Sequence, residues 1–86
     1  MFLEINMKQD KYLGYWLIKG TKNFIKVIGK CDFPRWRRVK KFYCIFGKYI
    51  EASPFETSNI ETVDYLRLDC EKVTEETFKE YTKGKL

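Results

Sequence analysis

The sequence predicts an α+β fold, in which an antiparallel meander of about five strands is followed by one or two short C-terminal helices packed on the sheet. Two observations predict it. In residues 1–50, apolar and β-rich runs are separated by short polar or glycine-containing turns. In the last third, helix-capping residues precede apolar side chains at helical spacing. Since 86 residues leave room for one domain, we expect a single domain over residues 1–86.

The expected strands follow one another closely. Apolar and polar residues alternate at 2–7, which is typical of a half-buried strand. Residues 12–18 are apolar on both faces and suit a central strand. A third strand at 24–31 ends before Pro34, which lacks a backbone N–H and breaks the ladder. Strand character returns at 38–46.

A tight hairpin is expected after the fourth strand. Residues 47–48 separate two β-rich runs, and glycine at the first of these positions is typical of a type II′ turn. The return strand runs to Ala52, so that Ile45 faces Ile50 and Tyr43 faces Ala52.

The chain beyond residue 57 is ambiguous at first. Ser58 and Glu61 match a capping box, in which each side chain satisfies a free backbone donor, and this predicts a helix beginning near Ile60. A strand over 60–70 is the competing prediction, because apolar residues also alternate there.

A last helix is indicated more clearly. Thr74 suits the N-cap, and Val73 can pack on Phe78 as a hydrophobic staple. Phe78 and Tyr81 lie three apart on one face, and Gly84 follows the end of the helix.

Several classes of catalyst lack their characteristic residues here. The sequence has no histidine, which excludes Ser–His and Cys–His nucleophilic sites, and it has no glycine-rich phosphate loop. Cys31, Cys44 and Cys70 are too dispersed to indicate a zinc site, and we expect them to be free thiols that fill the core. We therefore predict a protein that is not an enzyme and holds no metal or cofactor.

The cellular compartment is predicted from targeting signals and cysteines. The first residues lack the basic and apolar regions of a signal peptide. No apolar run approaches the ~18–20 residues of a membrane span. Three cysteines do not form the even set of a secreted disulfide scaffold. We expect a cytoplasmic location, in the cell or in an infected host, and no membrane partner.

Charge is distributed unevenly along the chain. Residues 1–50 carry twelve basic and three acidic side chains, whereas residues 51–86 carry five basic and nine acidic ones. Such asymmetry favours an anionic partner, either nucleic acid or an acidic protein surface. Solubilising lysines on the outer face of a sheet, or an acidic C-terminal part that docks on the basic one, would explain the same pattern.

The densest basic segment also contains a tryptophan, whose ring can stack on an unpaired base, while arginine binds phosphate bidentately. In an extended segment Arg38 and Lys40 share one face, and Arg37 and Lys41 share the other. We expect Lys26 and Lys30 to share a face of the preceding strand. The candidate nucleic-acid-binding or partner-binding residues are Arg35, Trp36, Arg37, Arg38, Lys40, Lys41, Lys26 and Lys30.

Two functional hypotheses follow from these residues. The first is a small non-enzymatic binding module that binds nucleic acid through a basic, aromatic-containing surface. The alternative is a protein–protein interaction module, or an inhibitor of a host protein encoded by a phage or mobile element, because Tyr, Trp and Arg dominate interface hot spots. A homodimer formed through an exposed strand edge is a variant of the second hypothesis.

Overall fold

The computed structural model describes residues 10–53 and 59–86, and in these ranges it contains six strands and two helices. The expected strand at 2–7 lies outside the described residues. The α+β prediction, with a sheet followed by short C-terminal helices, is confirmed. The elements are β1 (Gly14–Ile18), β2 (Phe24–Lys30), β3 (Trp36–Ile45), β4 (Lys48–Glu51), β5 (Ile60–Thr62), α1 (Val63–Asp69), β6 (Cys70–Val73) and α2 (Glu75–Thr82).

The strands form one antiparallel sheet in the order β4-β3-β2-β1-β6. The first four follow one another as a meander, as expected. β3 is ten residues long, and two short strands share its outer side. β4 pairs with residues 42–45 and β5 with residues 36–38. Between them, residues 39–41 of β3 have no neighbouring strand among the residues that the structure describes.

The two helices cover opposite faces of the sheet, because neighbouring residues of a strand point to opposite sides. Phe24 and Ile25, both 0% exposed, illustrate this. Ile25 packs in a cluster with Leu66 of α1. Phe24 packs in a second cluster with Phe78 of α2. We call these two sides the α1 face and the α2 face.

The last helix confirms its sequence signals. Thr74 is the N-cap, and its Oγ1 accepts a hydrogen bond from the backbone N–H of Thr77 at 3.1 Å. Phe78 is buried, with its ring centroid 5.2 Å from that of Phe24 and 5.0 Å from that of Phe42. This aromatic cluster holds α2 over one end of the sheet.

The segment from residue 60 to 73 differs from both sequence predictions. A helix beginning near Ile60 is wrong, and so is a continuous strand over 60–70. Residues 60–62 form β5, and α1 begins at Val63, where the N-cap Thr62 accepts a hydrogen bond from the N–H of Tyr65 at 3.2 Å. The apolar alternation is misleading because Leu68 is 64% exposed. The secondary structure of this segment is decided by the pairing of β5 with β3 and of β6 with β1, which the local sequence does not encode.

The predicted hairpin register is also wrong. The turn residues are Phe46 and Gly47, with φ angles of 50° and 79°, and two positive values are characteristic of a type I′ turn. Cys44 therefore pairs with Tyr49. This register buries Tyr49 to 5% exposure, and its hydroxyl donates to the carbonyl of Lys22 at 2.7 Å. Burial of that ring favours the observed register.

No helix within 10–53 and 59–86 is long and apolar enough to span a membrane.

Candidate functional site

β3 divides its basic residues between the two faces of the sheet, as its extended geometry predicts. Arg38 and Lys40 lie on the α2 face, together with Trp36. Arg37 and Lys41 lie on the α1 face. The candidate residues therefore do not form one patch.

Arg37 is buried on the α1 face, with 8% exposure. Its Nε donates to the carboxylate of Asp10 at 2.6 Å, and its Nη1 donates to the carbonyls of Pro34 and Trp36 at 2.8 and 3.0 Å. Its guanidinium also lies 5.2 Å from the ring centroid of Tyr12. These contacts use most of its donors, so Arg37 anchors the segment before β1 rather than facing solvent.

The ion pair with Arg37 determines the ionisation of Asp10. Burial raises the pKa of this carboxyl, but hydrogen bonds from the Arg37 side chain and the Tyr12 backbone N–H outweigh that effect. The pKa of Asp10 is consequently lower than its ordinary value.

Two further cations are paired with carboxylates. Lys41 Nζ lies 3.0 Å from Glu61 Oε1 of β5. Arg35 pairs with Asp64, which also accepts a hydrogen bond from Arg67 at 3.1 Å. Hydrogen bonds from the two arginines lower the pKa of Asp64. The positive charges of Arg35 and Lys41 are thus largely offset by these carboxylates.

Lys30 does not share a face with Lys26, and the expectation that it would is wrong. The register between β2 and β3 shifts between Val27 and Gly29, so that one extra residue is accommodated in β2. Beyond this bulge, Lys30 lies opposite Arg37. It contributes there to the lowered pKa of Asp10.

Three cations remain together on the α2 face. Lys26 lies directly opposite Lys40, and Arg38 lies opposite Gly29 at the bulge. Within the described ranges, none of these three has a carboxylate within ion-pair distance. We call Lys26, Arg38 and Lys40, with the neighbouring Ile28 and Trp36, the cationic surface.

The side chain of Arg38 lies across β2. A Cβ atom at Gly29 would lie 2.9 Å from Arg38 Nη2, so the guanidinium lies directly over the backbone of Gly29. Arg38 Nε also donates to the carbonyl of Lys30 at 3.3 Å. The side chain nevertheless remains exposed to solvent.

The apolar members of the cationic surface are accessible. Trp36 is 36% exposed and Ile28 is 39% exposed. The Tyr15 ring is less available for stacking, because it stacks on Phe78 with a centroid distance of 4.5 Å and Lys26 Nζ lies 5.3 Å from its centroid.

A depression of about 170 Å³ opens beside the cationic surface, next to the part of β3 that lies between its pairings with β4 and β5. We call it the edge depression. Ile28, Arg38 and Lys40 belong to both features. Its lining consists of Ile28, Arg38, Val39, Lys40, Lys41, Glu51, Ala52, Ser53 and Asn59.

Two other surface features were not predicted. A cavity of about 240 Å³ on the α1 face is lined by Lys11, Tyr12, Trp16, Arg67 and Lys72. Lys72 Nζ donates there to the carbonyl of Lys11 at 3.0 Å. Lys72 reaches this cavity because β6 pairs with β1, and no signal in the sequence predicts that strand.

The second unpredicted feature is an apolar hairpin tip. Phe46 is fully exposed, and Ile45 and Ile50 are 46% and 54% exposed. A turn placed at residues 46–47 would have predicted this exposed tip, because the residues before Gly47 are apolar.

The cysteines are free thiols, and no group of three potential metal ligands occurs in the part of the chain that the structure describes. Cys70 is buried; burial, followed by the charges of Glu61 and Asp69, raises its pKa to about 11. Cys31 and Cys44 are partly exposed.

No known protein family, curated protein or solved structure matches this chain. Its function has to be inferred from the residues themselves.

Proposed function

We propose that the protein is a non-enzymatic binding module that holds single-stranded nucleic acid on the cationic surface. One observation carries the proposal: Lys26, Arg38 and Lys40 lie side by side on the α2 face, without a carboxylate partner among the described residues. Like charges opposite each other in a sheet are destabilising, and a bound anion would remove that cost.

Phosphate contacts supply a salt-sensitive part of the affinity. Adjacent strands are about 4.8 Å apart, so cations on β2 and β3 can meet neighbouring phosphates of one flexible strand. Each phosphate neutralised on a single strand contributes about −0.7 to the slope of log K against log salt concentration. Three contacts therefore predict a slope near −2.

Trp36 supplies a contact that favours single strands over duplexes. Its ring is partly exposed on the same face as Arg38 and Lys40. An aromatic ring stacks on an unpaired base of any sequence for about 1–3 kcal/mol, whereas bases in a duplex are already stacked. Preference for single strands thus follows from Trp36, and salt dependence from the three cations.

Fluorescence polarisation of short single- and double-stranded oligonucleotides at two salt concentrations tests the proposal. We expect single strands to bind more tightly and the affinity to fall as salt rises. Arg38→Ala together with Lys40→Ala should abolish most binding. The matched control is Lys48→Ala with Lys83→Ala, which removes the same charge from exposed positions outside the surface. Undetectable binding at low salt, or equal losses in both double variants, would overturn the proposal.

A second candidate function is protein binding through the hairpin tip. Ile45 and Phe46 are adjacent in sequence, and Ile50, which pairs with Tyr43, lies diagonally across from Ile45 on the same face, so all three expose large apolar side chains near the turn. Such a cluster is typical of an interaction site. An adaptor, or a phage- or mobile-element-encoded inhibitor of a host protein, would use it. A complex that survives nuclease treatment and is lost in Phe46→Ala supports this candidate.

Self-association and location remain predictions. A homodimer through the outer edge of β4 would have to displace Lys85, whose carbonyl accepts a hydrogen bond from the N–H of Tyr49 at 2.8 Å.

A further inference from the structure

We infer that the edge depression holds one unpaired nucleobase of the strand bound on the cationic surface. The inference rests on the proposed function and deepens it, because it assigns base contact to a pocket and phosphate contact to the neighbouring cations. Arg38 and Lys40 line the depression and belong to the surface, so a nucleotide can place its base in one and its phosphate on the other.

The backbone of β3 provides polar groups for the edge of a base. Hydrogen bonds from Val63 N–H to Arg35 O, at 2.9 Å, and from Ala52 N–H to Lys41 O, at 2.8 Å, show that odd-numbered residues direct their backbone groups to this side. Alternation along the strand therefore directs the N–H and C=O of Val39 towards the depression. Within residues 10–53 and 59–86, neither β4 nor β5 pairs with Val39. A donor and an acceptor on one residue can read a nucleobase, whose edge presents both kinds of group.

The walls suit a flat ring. Arg38 lines the depression, and guanidinium groups stack on bases. Ile28 adds an apolar contact. The volume, about 170 Å³, is below the ~300–1,000 Å³ of sites that enclose whole small-molecule ligands. It therefore suits a single ring system better than a complete cofactor.

The carboxylate of Glu51 gives the site a chemical preference. Glu51 lines the depression and faces the same side as Lys40. A carboxylate only accepts hydrogen bonds, and it can accept one from the exocyclic amino group of cytosine. We therefore expect bases that carry an amino group to bind in preference to thymine.

The test separates the contribution of the base to the affinity from that of the phosphates. Two labelled strands of equal length and charge are compared by fluorescence polarisation: one is abasic throughout, and the other carries a single central cytosine. We expect the cytosine strand to bind roughly tenfold more tightly, which corresponds to about 1.4 kcal/mol.

Variants that fill the depression show whether the difference in affinity between the two strands arises there. Ala52→Leu should fill the space and reduce the cytosine strand to the affinity of the abasic strand, while the abasic strand binds as before. Ala52→Val adds less bulk at the same wall, and it should reduce the difference between the two strands in part if Ala52→Leu fails to fold. Trp36→Ala separates the two base contacts, because a difference between the strands that survives in this variant comes from the depression and not from stacking on the tryptophan.

Three outcomes overturn the inference. If both strands bind equally and remain salt-sensitive, the depression takes no base and the proposed function stands. If the difference disappears only in Trp36→Ala, the base is held by the tryptophan. If neither strand binds and ordinary single strands do not bind, the proposed function fails together with the inference.

Discussion

Lys26 and Lys40 lie directly opposite each other across β2 and β3, on the face of the sheet that α2 covers only in part. Arg38, two residues before Lys40, adds a third positive charge on the same face. Other cations of the protein are paired with carboxylates, whereas no carboxylate of the described residues lies within ion-pair distance of these three. We interpret it as a cost to stability that binding recovers.

Lys40→Glu should therefore stabilise the fold and weaken binding. The new carboxylate faces Lys26, and an opposite-charge pair across strands is worth about 0.2–1 kcal/mol. Urea unfolding, monitored by tryptophan fluorescence, measures the change in stability, and oligonucleotide titration measures the change in binding. Lys48→Glu changes the net charge equally at the hairpin turn and serves as the control. A stability gain of the same size in both variants would contradict the cross-strand explanation.

Arg37→Ala should destabilise the protein strongly. It leaves the buried carboxylate of Asp10 and two carbonyls without their donor, and breaking a buried ion pair costs about 3–5 kcal/mol. Arg38→Ala, one residue away but exposed, should change the free energy of unfolding by less than about 0.5 kcal/mol. Equal midpoints of urea unfolding in the two variants would show that Arg37 has no anchoring role.

Acid should weaken the fold partly through Asp10. Its folded pKa lies below the ordinary 3.8, so its contribution is complete above that value and is lost as pH falls through the folded pKa. Asp10→Asn removes this titration. We expect the free energy of unfolding to fall less steeply between pH 5 and 3 in Asp10→Asn than in the natural sequence. Parallel pH profiles would contradict the assignment.

Phe46→Asn should raise the melting temperature. Phe46 has a φ of 50° and is fully exposed, so its ring gains no burial while its backbone occupies the left-handed region. That region costs a non-glycine residue about 1–2 kcal/mol, and asparagine tolerates it better. Phe46→Ala removes the ring without that benefit and is the control. A lower melting temperature for Phe46→Asn than for Phe46→Ala would refute the expected relief of strain.

Cys70 should resist alkylation in the folded protein. It is 3% exposed and its pKa is raised to about 11, so little thiolate forms near neutral pH. Mass spectrometry after iodoacetamide treatment at pH 8 should show modification of Cys31 and Cys44, with Cys70 labelled only after urea is added. Labelling of Cys70 at the rate of Cys31 would contradict its burial.

Alkaline pH should also destabilise the fold through Cys70. Its folded pKa exceeds the ordinary 9.0, so the unfolded chain releases this proton first and stability is lost as pH rises above about 9. Cys70→Ala lacks this titration and should show a shallower loss of stability between pH 9 and 11. The cavity it creates lowers stability at every pH, so only the slope is compared.

The sequence by itself determined features that depend on neighbours along the chain. The distribution of Arg38 and Lys40 to one face, and of Arg37 and Lys41 to the other, follows from strand geometry alone. The capped helix after Thr74 follows from the local hydrogen bond that Thr74 Oγ1 accepts from the N–H of Thr77. These features are predictable because their partners lie within a few residues.

The tertiary structure decided which charges remain available. Arg37 meets Asp10 across 27 residues, and Lys41 meets Glu61 only because β5 pairs with β3. The bulge in β2 places Lys30 on a different face from Lys26. Charge can be counted in a sequence, but its neutralisation depends on carboxylates brought near by strand pairing, and a register shift of one residue exchanges the faces.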